Sequence, residues 1–153
     1  MQGTDLQRIF LESASEVLET MFFTGVAEEN SEEASGTLLC AELSFRGRPS
    51  GRFGVRTPLA TGRMIAASFL GLDESEVSDA QAGEVTCELT NMFCGSVLSR
   101  IEAGARFELM HPEVDPANTD WRQYPDSIGY TFGLEEGTMT LWMALEKAPA
   151  LVA

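Results

Sequence analysis

Glu88 and Asn91, three residues apart within 83–103, are the side chains whose types and spacing offer chemistry. On a helix, positions three apart are neighbours, their stems about 5–6 Å from each other. A carboxamide is not a general base. It can hold a water molecule by accepting one of its protons while donating to another acceptor. Positioning a water suffices when the electrophile is already activated, as a phosphoryl group on a carboxylate beside a metal ion is. The loose transition state of phosphoryl transfer leaves catalysis mostly to placement and charge stabilisation. The carboxylate would then pair with a lysine of the molecule carrying that group and fix its register.

Both residues need a helix to present them. At about 100° per residue, Glu84, Glu88, Asn91, Gly95, Ser99 and Glu102 share a stripe about 80° wide. Val85, Cys87, Leu89, Met92, Phe93, Cys94, Val97, Leu98 and Ile101 fill most of the remaining circumference. Such a helix is expected to be buried nearly all round, with one narrow polar stripe facing water. Ser78-x-x-Gln81 supplies a capping box at its start. Gly95 on the stripe would let a partner's backbone come close; helix–helix packing is its other use.

The rest of the chain reads as the support for that helix. A first helix is expected from near Thr4, where Thr4-x-x-Gln7 resembles a capping box, up to Gly25, with Leu6, Ile9, Phe10, Val17, Leu18, Met21 and Phe22 as its apolar face. The acidic stretch 28–36 reads as a surface loop. Residues 37–46 and 51–57 read as strands around the turn residues 47–51. Pro58 opens a shorter helix to about Leu70, closed by Gly71, and 73–78 is a linker. A strand over 106–111 stops at Pro112, 113–126 is an irregular connection, and 127–135 with 138–146 form a hairpin turning at Glu136-Gly137. The ending, 147–153, is expected to fray. Shifting the chain by 71 residues lays Leu18, Met21, Phe22 and Val26 over Leu89, Met92, Phe93 and Val97, a weak internal repeat. The same shift sets Val17 over Glu88 and Thr20 over Asn91, so only the second half carries the polar pair.

Composition bounds the function. The 153 residues fit one domain, 1–153, with a proper core. The formal charge of −14 argues against nucleic-acid binding, which needs clustered Lys and Arg, and suits a partner with a basic patch. No apolar run approaches the roughly 20 residues of a membrane span, and the N-terminus lacks a secretory pattern, so a cytoplasmic protein is expected. Cys40, Cys87 and Cys94 read as buried free thiols. His111 is the sole histidine, which disfavours a metal cluster or a Ser-His-Asp arrangement, and it reads as a strand end. Arg46, Arg48 and Arg52 read as a solvated basic turn. There is no Gly-rich phosphate loop.

The run Glu88-Leu-Thr-Asn91-Met-Phe-Cys-Gly95 resembles the Glu-x-x-Asn signature of the CheC/CheX/FliY chemotaxis phosphatases, in which Asn-Met-x-x-Gly is also common. The order of elements is similar over nearly the whole chain, and a single domain with one working motif is most similar to CheX. The resemblance implies an α/β two-layer sandwich, two long antiparallel helices on a largely antiparallel sheet of about five or six strands, with a CheC-like pseudo-twofold. It implies a phosphatase acting on the aspartyl phosphate of a CheY-like response regulator, Glu88 contacting the regulator and Asn91 orienting the attacking water. No cofactor is implied in this chain, the Mg²⁺ residing in the regulator, and an edge strand is a route to a homodimer. Glu84 stands where the family often has Asp or Ser, adding negative charge beside the site and bearing on partner preference; Pro112 stands slightly early for the family's proline. A non-catalytic binding module on the same fold, as in the flagellar switch, and a small-ligand sensor are the competing readings.

Overall fold

The structure, a computed structural model, describes residues 3–22, 24–30 and 36–146. Three helices, α1 (Gly3–Met21), α2 (Leu59–Leu70) and α3 (Asp79–Ile101), combine with β1 (Val26–Asn30), β2 (Leu38–Arg46), β3 (Gly51–Pro58), β4 (Glu108–Leu109), β5 (Glu113–Val114), β6 (Ile128–Leu134) and β7 (Thr138–Leu145). The strands form one antiparallel sheet in the order β1-β6-β7-β3-β2-β4, with β5 also on β2. This is the expected α/β layering, with seven strands in place of five or six.

The topology is unchanged when two halves are exchanged, which is the pseudo-twofold hinted at by the internal repeat. In α1-β1-β2-β3 and α3-β4-β6-β7, the second and third strands of each half pair together, and the two third strands meet at the centre. Each first strand crosses to the other half's second strand: β1 to β6 and β4 to β2. Leu18 and Leu89, and Phe22 and Phe93, matched by the 71-residue shift, are all buried in one core with Phe10, Phe53, Phe132 and Leu141.

Helix α3 packs against α1, α2, β2 and β3, so little of its surface is left for water. Its start is fixed by the expected box: the Ser78 hydroxyl accepts from Gln81 N at 3.1 Å, and the Gln81 side chain accepts from Ser78 N at 2.9 Å. Thr86 and Thr90 are buried in it because their hydroxyls donate to Ala82 O and Thr86 O, at 2.8 and 2.7 Å. Helix α2 comes close through Gly62, where a Cβ would lie 2.7 Å from Leu39. It ends as expected at Gly71, whose φ of 69° is left-handed and whose N–H reaches Ala67 O.

Several expectations are corrected. Helix α1 ends at Met21, not Gly25. The Gln7 carboxamide donates to Gly129 O at 3.1 Å and ties α1 to β6, while the expected Thr4–Gln7 box rests on the Thr4 side chain, which lies outside the described residues. Val26–Asn30 is an edge strand on β6 where a loop was expected from Glu28; 31–35 lie outside the described residues, as does 147–153. An edge position tolerates charge because one side of the strand stays unpaired. The 106–111 strand shrinks to Glu108–Leu109, and the supposedly irregular connection pairs again at Glu113–Val114. The remainder of that connection lies over the outer sheet face, where Tyr124 stacks on Trp142 and Trp121 fills the space at Gly129. Arg52 lies over Tyr124 and donates to Glu42 at 3.2 Å, and it is exposed together with Arg46 and Arg48, as a solvated basic turn requires.

Candidate functional site

Along α3 from Gln81 to Ile101 the exposed residues are Glu84, Glu88, Asn91, Gly95 and Ser99. That is the stripe expected from spacing, and Glu102, just past the helix, is exposed with it. Leu89 and Phe93 point into the core, whereas Met92 and Cys87 are half-buried flanks instead of fully enclosed residues. Asn91 and Glu88 make no hydrogen bond or ion pair to another described residue. At Gly95 a Cβ would meet nothing within 4 Å, so helix–helix packing does not explain this glycine.

Glu84, Glu88 and Asn91 line one side of a groove of about 910 Å³, with Asp79, Gly83 and Cys87 of the same helix. Leu39 of β2 and Leu59 of α2 contribute apolar surface, and the other wall is Leu109, Met110, His111, Pro112 and Val114. Val114 anchors that wall, since a Cβ on Gly83 would lie 3.0 Å from its Cγ2. Gly95 opens on a smaller hollow of about 220 Å³ that shares Leu109 with the groove.

The electrostatics are one-sided. Burial first, then the charges of Glu88, Glu113 and Glu84, push the Cys87 thiol above its ordinary range, so it stays neutral. Arg63 pairs with Asp79 of the groove's own lining, and Arg52 pairs with Glu42. All three cysteines are free. Among the described residues no group of three or more His, Cys, Asp or Glu could hold a metal ion.

The counterpart stripe on α1 is closed. Ser13, matched with Glu84, is fully buried and accepts from Arg100 Nη1 at 3.4 Å; Arg100 also pairs with Glu16 and, at 3.8 Å, with Glu12. Val17 is buried and Thr20 exposed. The groove's second wall was invisible to spacing arguments. His111 in particular was read as a strand end, yet it shares the groove with Asn91 and Glu88.

The family model of chemotaxis phosphatase CheX matches residues 39–119, more than half of the chain, including the whole of α3 and both groove walls. The chain belongs to the CheX family. Among solved structures it is similar to CheX of Vibrio vulnificus (19% identity, 95% of this chain and 99% of that one, TM-score 0.75). It is similar also to CheX of Desulfovibrio desulfuricans (19%, 93% and 99%, TM-score 0.70). A third likeness is to a chain of the CheX–CheY–BeF3–Mg²⁺ complex of Borrelia burgdorferi (17%, 92% and 97%, TM-score 0.69). At these identities the likeness establishes the fold, which extends to α1, β6 and β7 beyond the family match. No curated protein sequence matches the chain. No helix among the described residues is long and apolar enough to cross a membrane.

Proposed function

We propose that this CheX-family chain hydrolyses the aspartyl phosphate of a CheY-like response regulator. The observation that carries the reading is the pairing of Glu88 and Asn91, exposed and making no hydrogen bond or ion pair to another described residue, at the edge of a groove large enough to receive another protein's surface. A carboxamide with no internal hydrogen bond is free to orient a water toward a docked phosphoryl group, which fits a reaction governed by placement. Glu88 docks a cation of the regulator, Glu84 adds to the same field, and Gly95 lets the regulator's backbone approach. No cofactor belongs to this chain; the Mg²⁺ is the regulator's. Pairing of edge strands, β1 or β4 and β5, would join two copies.

The test is the rate of phosphate loss from phosphorylated receiver domains with and without the purified protein. Acceleration for at least one receiver is expected. Binding to a phosphorylated receiver without acceleration would turn the reading to a non-catalytic binding module.

A further inference from the structure

The groove's second wall departs from regular strand geometry. Leu109 pairs with Phe45, and Val114 pairs with Ala41. From Phe45 to Ala41 β2 takes four steps, whereas the edge takes five from Leu109 to Val114. The edge thus carries a bulge of one extra residue. The distortion is pinned at both ends, by Met110 N to Ser44 O and Asp115 N to Cys40 O, each 2.8 Å. Between them Pro112 has no N–H to donate. In a regular strand successive side chains point to opposite faces, yet Met110, His111 and Pro112 all line the groove. Bulges re-aim side chains and are found beside functional sites. Counted on from Leu109, His111 falls on the groove face; counted back from Val114, Pro112 does. The extra residue is what lets these neighbours share that face.

His111 is exposed, and it is the one groove-lining residue able to carry positive charge. The charged or titratable groups around it are Asp79, Glu84, Cys87 and Glu88 of α3, Glu113 of β5, Glu42 of β2, and Arg52 of β3, already paired with Glu42. A phosphoryl dianion brought to this carboxylate-edged groove meets repulsion, and an imidazole N–H on the facing wall offers it a donor.

Resting on the phosphatase reading, we propose that His111 is a positioning residue for the docked regulator. Its imidazole, on the groove wall facing Asn91 and Glu88, donates a hydrogen bond to an anionic acceptor on the regulator's phosphorylated face. Because that contact holds the docked regulator without touching the reacting atoms, its loss falls on KM and not on turnover.

The experiment measures kcat and KM for one phosphorylated receiver domain, with wild type, His111→Ala, His111→Asn, Glu42→Gln and Asn91→Ala. His111→Ala should raise KM at least about threefold with kcat within about twofold of wild type, and His111→Asn, which keeps an N–H donor, should recover part of the lost affinity. Glu42→Gln should keep the wild-type KM. The proposal is overturned if His111→Ala keeps the wild-type KM, or if it loses kcat with KM unchanged. Should Asn91→Ala be inactive while His111→Ala behaves as wild type, this inference alone fails. Should Asn91→Ala turn over at the wild-type rate, the phosphatase reading fails and takes this inference with it.

Discussion

At Gly95 a methyl group would meet nothing within 4 Å, and the position lies in the exposed interior of a long helix. Glycine there is worse for the helix than alanine by roughly 0.5–1 kcal/mol. Gly95→Ala is therefore expected to stabilise the protein by about that much in urea unfolding. If a partner's backbone passes over this point, the same variant should raise KM for the phosphorylated regulator. Glu84 and Glu88, one turn apart, repel by a few tenths of a kcal/mol, so this stretch of α3 is not arranged for helix stability. Glu88→Ala should weaken regulator docking while changing stability by no more than about 0.5 kcal/mol, as for surface sites generally. Titration calorimetry and denaturation on the same preparation check both halves of that statement.

Among the elements, α3 was the most legible. A period of three and four carried through 23 residues fixes which side chains face water, and the Ser78–Gln81 box fixes where the helix starts. Ser78→Ala removes that cap and should cost about 1 kcal/mol in unfolding free energy without changing kcat. Edge strands were the least legible. β1 carries Glu28 and Glu29, which argue for a loop when read locally; only its pairing with β6, distant in sequence, makes it a strand. The 106–111 segment has the alternation of a strand, but the bulge between Leu109 and Val114 breaks its pairing into two short pieces. No local pattern reports a register against β2. The two halves also differ in what their helices leave open. With Ser13 buried under Arg100 and Val17 in the core, α1 offers no counterpart to the α3 stripe. Replacing Val17 and Thr20 by alanine is expected to cost about 1–2 kcal/mol from the two lost buried methyl groups of Val17. Phosphatase turnover should be largely unchanged.

For the molecule as a whole, a formal charge of −14 and a groove edged by carboxylates set the kind of partner that can dock. Complementary charge speeds encounter and is screened by salt, with a Debye length near 10 Å at 0.1 M. KM for the phosphorylated regulator should accordingly rise several-fold between about 0.05 and 0.5 M salt. Glu88→Gln should show a shallower rise, because one of the groove's charges has gone. The pseudo-twofold was partly visible in two matched pairs, Leu18 with Leu89 and Phe22 with Phe93, since both halves must bury the same face against one core. Met21 is exposed and Val26 lies on β1, so the other two matches carry no such role. The groove itself was not, because α3, β2, α2 and the 109–114 wall meet only after the strands have paired.

The central claim is that Asn91 places the attacking water, and loss of phosphate from a phosphorylated receiver domain under single-turnover conditions tests it most directly. Asn91→Ala should lose at least about 100-fold in rate while binding the receiver with nearly wild-type affinity and unfolding within about 0.5 kcal/mol of wild type. Hydrolysis at the wild-type rate by Asn91→Ala would contradict the account and leave the chain a binding module that carries the motif without using it.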